Sequence, residues 1–264
     1  EPLPTAVRTL LAAFDSIRAA SEAVSAIIAS GILPAALEML DRASVRAVEA
    51  SIYAAGYPTD AAAVLLVELD GVPAAVASES VQVERILRAH GANEVRVATE
   101  AADRARLWQG RKKVFGAMGR IAPDMVVQDA VVPRSALPAI LDRIEAIGAA
   151  HGLPIVNVFH AGDGNLHPNI CFDRRDAEQS ARVAAASREI MELCLAAGGS
   201  ITGEHGVGLD KMEHMPALLD AETLATMCDV RRAFDPLARA NPGKVIPVHS
   251  CREWRATPAT RERA

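Results

Sequence analysis

Aromatic residues are the scarcest class in this chain. They make up 3% of its 264 residues, with Trp108, Trp254, Tyr53, Tyr57 and five phenylalanines. That scarcity argues against an aromatic base-stacking surface and leaves the core to Ala, Val, Leu and Ile. Positive charge is short as well. The 28 basic residues fall below the 33 acidic ones, for a net charge of −5. Nucleic acid is therefore not expected as a partner, because phosphate binding needs a basic footprint. No run of 18 apolar residues is free of charge, so no transmembrane segment is expected. No signal-peptide pattern opens the chain. Its first residue is Glu1, not Met, which suggests a fragment of a longer protein. The cysteines, Cys171, Cys194, Cys228 and Cys251, form no CxxC pair. A disulfide framework or a cysteine zinc site is not expected, each thiol reads as a small buried hydrophobe, and a reducing cytoplasm is the default. There is no GxxxxGK[ST], no GxGxxG opening a helix and no GxSxG elbow, so no complete nucleotide site or serine hydrolase is indicated.

Half of the chain is hydrophobic and 23% is charged, enough to bury a sizeable core. Strands are predicted at 7–14, 34–40, 61–71 and 94–99. Helices are predicted at 16–30, 42–54, 73–90 and 100–118. Omitting the extra helix, the order is strand, helix, strand, strand, helix, strand, which is the split βαβ pattern. The order recurs further on, with strands at 125–133, 155–160 and 165–172, helices at 135–150 and 176–197, and 200–202 as a candidate last strand. The predicted fold is α+β: two ferredoxin-like halves, about 1–120 and 121–210, mostly antiparallel sheet with helices on one face. A tail, 211–264, carries a helix near 220–234.

Two motifs carry chemistry. In His160-Ala-Gly-Asp-Gly-Asn-Leu-His167-Pro-Asn169, the Asp163-Gly164 pair predicts a two-residue hairpin turn. Residue 160 would then face 167, bringing the imidazoles roughly 5 Å apart on one face. Asn169, two residues on, points to the same face. In Thr202-Gly-Glu204-His205-Gly-Val-Gly208, three glycines force a loop that can approach a ligand. His160, His167 and Glu204 form a two-histidine, one-carboxylate set suited to Zn, Fe or Mn. His205, adjacent to Glu204, is the candidate general base, since histidine titrates near neutral pH. The Arg111-Lys112-Lys113 cluster could hold an anionic carboxylate or be a solvated helix face. His90, His151, His214 and His249 read as surface residues.

The stretches 157–173 (NVFHAGDGNLHPNICFD), 198–211 (GGSITGEHGVGLDK) and 234–247 (FDPLARANPGKVIP) resemble the C-terminal domain of FAD-linked oxidases of the vanillyl-alcohol oxidase type. The stretches 31–41, 55–71 and 107–124 are most similar to the FAD-linked subunits of glycolate oxidases within that family. The resemblance implies a duplicated ferredoxin-like substrate cap and oxidation of a 2-hydroxy acid, commonly the D isomer, with FAD as hydride acceptor. It implies a divalent metal on His160, His167 and Glu204, His205 as base, and Arg111 and Asn169 as substrate-binding residues. It also implies that Asn241 and Lys244 approach the flavin, whose N-terminal FAD domain this chain lacks. Relatives acting on 2-hydroxyglutarate carry a polar residue near Phe115 and a lysine near Val127. Their absence favours a short monoacid such as glycolate or lactate. Other oxidase subunits, including an iron-sulfur protein, are implied as electron-accepting partners, with peripheral membrane attachment through them. The fragment itself is expected to be colourless and inactive. Two other readings of the same residues are a stand-alone metal-dependent hydrolase or lyase and a non-catalytic ligand-binding or subunit-docking module.

Overall fold

The computed structural model describes residues 4–247. In the first half, β1 (Ala6–Phe14), α1 (Ile17–Ala29), β2 (Ala36–Asp41), α2 (Arg42–Glu49), β3 (Ala63–Gly71), α3 (Pro73–Ala89), β4 (Ala92–Ala98) and α4 (Ala101–Met118) follow in turn. Local chemistry sets these boundaries. The Ser16 hydroxyl accepts the Ala19 N–H at 3.1 Å and caps α1, and Gly31 ends that segment at φ 86°, a conformation that glycine adopts without strain. Asp41 caps α2 by accepting the Ser44 N–H at 2.8 Å. The predicted helix 42–54 stops at Glu49, whose carboxylate accepts the N–H groups of Ala55, Gly56 and Tyr57. Those bonds hold the following residues as a loop.

The second half runs β5 (Asp124–Val127), β6 (Ala130–Val131), α5 (Leu137–His151), β7 (Ile155–His160), β8 (Asn165–Leu166), β9 (Pro168–Phe172) and α6 (Ala177–Ala196). Short α7 (Met215–Leu218) and α8 (Ala221–Phe234) complete it. The predicted strand 125–133 is broken at Gln128-Asp129. β5 pairs with β9, whereas β6 pairs with β8, and the break turns the Asp129 side chain into the protein, where it is fully buried. The candidate strand 200–202 is reduced to a single bridge, Ser200 with Val131.

The nine strands of the described residues join one sheet whose central path is β4-β1-β3-β2-β7-β8-β6. The named pairings are antiparallel. The first half has the order β4-β1-β3-β2 expected of a split βαβ unit. The halves meet where β2 lies against β7, with Glu38 opposite His160, Met39 opposite Phe159 and Leu40 opposite Val158.

Helices cover both faces of the sheet, not one. Period-two alternation along β1 sends Leu10, Ala12 and Phe14 to a core shared with α1, α3, α5 and α6. It sends Leu11 and Ala13 to a second core shared with α2 and α4. Each fully buried leucine or phenylalanine stabilises the fold by roughly 2 kcal/mol, so the contacts on both faces hold helices to the sheet. Aliphatic side chains dominate both cores, as the scarcity of aromatics predicts. Cys171 and Cys194 are free and buried. Cys228 is buried as well. No helix among the described residues is long and apolar enough to cross a membrane.

Candidate metal centre

The hairpin at 160–167 has a different register from the one expected. His160 pairs with Asn165, and Val156 with Asn169, so residues 161–164 make a four-residue turn. The difference from the expected pairing is two residues. A shift of two preserves which face each side chain occupies, whereas a shift of one would have reversed it. His160 and His167 are therefore diagonal rather than opposite, yet remain on one face. Their ring centroids are 5.4 Å apart in an edge-on arrangement. Gly164 makes the turn possible. Its φ is 80°, and a Cβ there would lie 2.2 Å from the Val132 carbonyl oxygen.

The two rings present the same atom to the same partner. Nε2 of His160 lies 3.4 Å from Glu204 Oε1, and Nε2 of His167 lies 3.2 Å from it. Each Nδ1 is engaged on the opposite side. His160 Nδ1 donates to Glu38 Oε1 at 2.7 Å, and His167 Nδ1 donates to the Gln128 carbonyl at 3.2 Å. These bonds select the tautomer that leaves both Nε2 lone pairs facing Glu204. Two imidazole nitrogens and one carboxylate oxygen, all within 4.8 Å of one another, fit a divalent cation of the Zn, Mn or Fe class. Glu204 and His205 are exposed, so one side of the set remains accessible. The His205 ring stacks on His167 at 5.0 Å, with its Nε2 3.7 Å from Glu204 Oε1.

Two acids that the motifs do not include hold this set. Glu38 projects from β2 beside His160, and its other oxygen accepts from Arg111 Nε at 3.0 Å and Nη2 at 2.8 Å. Burial pushes the Glu38 carboxyl up, but the His160 hydrogen bond and the Arg111 charge outweigh it and keep it below its usual range. The Glu38 hydrogen bond in turn raises the His160 pKa, while burial lowers that of His167. Asp129 accepts from the Thr202 hydroxyl, from the N–H groups of 203, 204 and 205, and from Lys211 Nζ. Burial opposes its ionisation, yet these donors hold it well below the usual carboxylate range. The one signal for these two acids in the sequence is that each is a carboxylate inside a largely apolar strand run, Glu38 in ALEMLD, which also holds Asp41, and Asp129 in MVVQDAVVP.

The remaining expected residues have other surroundings. Arg111 is buried, and its Nε and Nη2 both donate to Glu38 Oε2. Asn169 is fully buried and donates to the carbonyls of Val156 and His167 at 2.9 and 2.7 Å, leaving its Oδ1 without a hydrogen-bond partner. Val127 pairs with Asn169, and Phe115 packs against the second core. Asn241 and Lys244 belong to the segment after α8, which Val245 ties to the glycine loop by donating to the Gly208 carbonyl at 2.9 Å. His214 is buried rather than solvated. His90 caps α3, and His151 meets Glu189 at 3.0 Å. His249 lies outside the described residues.

The family model for FAD linked oxidases, C-terminal domain, matches residues 3–245. The chain is 47% identical to the glycolate oxidase subunit GlcD of Escherichia coli over 97% of its length and 51% of that protein's. It is 39% identical to GlcD of Bacillus subtilis over 93% of its length and 52% of that protein's. It is 32% identical to the mitochondrial cytochrome-type D-lactate dehydrogenase of Arabidopsis thaliana, over 90% of its length and 42% of that protein's. The chain thus spans about half the length of these curated relatives. Among solved structures, p-cresol methylhydroxylase with substrate bound shares the fold at TM-score 0.74 and 15% identity, covering 94% of this chain and 54% of that one. On the strength of the family match and these identities, the chain belongs to the FAD-linked oxidases and corresponds to their C-terminal domain.

Proposed function

We propose that this chain is the substrate- and metal-binding part of an FAD-dependent 2-hydroxy-acid dehydrogenase that oxidises glycolate or D-lactate to the 2-oxo acid. The observation that carries this reading is the convergence of His160 Nε2 and His167 Nε2 on Glu204 Oε1. The 47% identity to a glycolate oxidase subunit supports the substrate class. The two halves read as duplicated ferredoxin-like units that carry these residues at their junction.

In this reading, His160, His167 and Glu204 hold a divalent metal, which when bound would offset negative charge on the hydroxyl and carboxylate oxygens of the substrate. His205 accepts the hydroxyl proton at an imidazole nitrogen. FAD, held mainly by the domain that accounts for the rest of the relatives' length, supplies the hydride acceptor. Asn241 and Lys244 form the part of this chain that faces it. Arg111 and Asn169 bear on the substrate through the ligands they hold: Arg111 fixes Glu38 behind His160, and Asn169 fixes the backbone of His167. Valine at 127 and phenylalanine at 115 offer no charge to a second carboxylate, which favours a short monoacid. Electrons then pass to partner subunits, including an iron-sulfur protein, which would also account for peripheral membrane attachment of an otherwise cytoplasmic enzyme.

Elemental analysis of the purified chain tests the metal assignment. About one divalent metal per chain is expected, and His167→Ala should lower the affinity by more than a hundredfold or so, beyond the cost of losing an outer-shell partner. Retention of metal by that variant would overturn the ligand assignment. Substrate-dependent bleaching of flavin in the full-length protein, run across D- and L-2-hydroxy acids, tests the reaction.

A further inference from the structure

Asp129, His167 and His205 form a second convergent group whose ligand atoms lie within 4.8 Å of one another. Its chemistry rules it out as a metal site. Both carboxylate oxygens are already saturated by donors. Oδ2 accepts from Thr202 Oγ1 at 2.7 Å, from His205 N at 3.0 Å and from Lys211 Nζ at 3.0 Å. Oδ1 accepts from Glu204 N at 3.3 Å, and the Gly203 N–H is shared between Oδ1 at 3.1 Å and Oδ2 at 3.0 Å. A cation on either oxygen would have to displace the two or three donors that oxygen holds, beside the Lys211 ammonium. Three successive backbone N–H groups aimed at one anion make a nest of the kind that elsewhere binds phosphate.

We propose that Asp129 is a positioning residue: an internal anion around which residues 202–206 fold, so that Glu204 and His205 are already aimed before any ligand arrives. This rests on the reading of Glu204 as a metal ligand and His205 as base. Three features support it. The Asp129 side chain is fully buried, so its donors compete with little water. Lys211 Nζ also donates to the Asp129 backbone carbonyl at 2.6 Å, fixing the acid at both ends. Thr202, besides donating to Asp129, accepts the Gly206 N–H at 2.9 Å and so closes the loop from its other end. Gly203 suits the fit: a Cβ there would lie 2.6 Å from the Asn165 side-chain amide, which would have to turn aside. The Glu204 ligand and the His205 base are thus preset by a strand break at 128–129 that no motif at 202–208 foretells.

The experiment is backbone amide exchange on the metal-free chain, paired with Co²⁺ titration followed by absorption. In the wild type the amides of 203–205 should exchange slowly without metal and change little when Co²⁺ is added. Asp129→Asn leaves fewer acceptor sites and turns an N–H toward donors. Exchange at 203–205 should then rise at least about tenfold while β1–β3 amides keep their protection. Co²⁺ affinity should fall by about 10–100-fold, and the Co²⁺ absorption spectrum should change as Glu204 leaves the ligand set. If Asp129→Asn fails to fold, Thr202→Val removes one donor without touching the buried acid and should raise exchange at 203–206 by a smaller factor. Wild-type protection at 203–205 in either folded variant, or slow exchange that develops only on adding metal, would overturn the proposal. If the wild type takes up no Co²⁺, the metal reading fails, while the exchange rates still decide whether Asp129 presets the loop.

Discussion

The two ends of the β2–β7 seam are built from the same parts and behave differently. At one end Glu38 faces His160, and at the other Asp41 lies beside Asn157. Both acids come from β2, both are buried, and both accept from a residue of β7. Glu38 has a guanidinium and an imidazole against it, which bring its pKa down. Asp41 accepts neutral N–H groups from Ser44 and Asn157, and burial pushes its pKa up. A buried carboxylate with cations around it can steady a metal ligand. The same group among neutral donors serves only as a helix cap and a strand clip. What separates a site from a structural joint here is the charge of the partners rather than burial or position.

Substitutions at each end can break that comparison. The largest effect is expected from Glu38→Gln, which leaves Arg111 without its counter-charge in a buried place. Stability should fall by about 3 kcal/mol, and metal affinity by about 10–100-fold as His160 loses its tautomer lock. Denaturant unfolding and metal titration measure the two. A Glu38→Gln variant with wild-type metal affinity would show that the ends do not differ in function.

Asp41→Asn should cost about 1–3 kcal/mol, because two buried N–H groups must share a single acceptor. Its metal affinity should match the wild type. A loss of metal there would make the seam one coupled unit rather than two distinct ends.

The pH dependence should run in opposite directions. Glu38 has a lowered pKa, so its contribution to stability is full above the ordinary value of 4.5 and is lost as pH falls through the folded-state pKa. The deficit of Glu38→Gln should therefore shrink on acidification. Asp41 has a raised pKa, so its contribution is full below the ordinary value of 3.8 and is lost as pH rises through the folded-state pKa. The deficit of Asp41→Asn should be largest in acid and shrink toward neutral pH. Unfolding of both variants across pH 3–8, with parallel trends, would refute the distinction.

The smallest effect is expected at Asn157→Ala. The side chain gives one hydrogen bond of 3.2 Å and leaves its Oδ1 unpaired, so the net change should lie within about 1 kcal/mol. A loss beyond about 2 kcal/mol, read by thermal unfolding, would mean that this end is as finely built as the other.

Much of this was legible in the sequence, for identifiable reasons. The short, nearly continuous apolar runs VRTLLAAF and AAAVLLVELDG located β1 and β3, because such runs bounded by turn residues read as buried strands. The histidine pair was found although the turn was misjudged, because an error of two residues leaves side chains on the same face. The covering of both sheet faces was missed. The split βαβ element order suggested helices on one face, although strands apolar at nearly every position are those buried on both. Glu38 and Asp129 were missed because the role of an acid in an apolar run is set by partners distant in sequence. Arg111, 73 residues from Glu38, and Lys211, 82 residues from Asp129, are such partners.

The seam itself has a further consequence. It is three residue pairs long, and it occupies the inner edge of both halves. Cut between them, each half would present an unpaired edge strand, β2 on one piece and β7 on the other, with apolar Leu37, Met39 and Leu40 or Val156, Val158 and Phe159 close by. Such edges recruit further strands. The contact that brings Glu38 to His160 is therefore also the one that keeps either half from pairing with a copy of itself. Protection from aggregation and assembly of the site rest on the same few backbone hydrogen bonds.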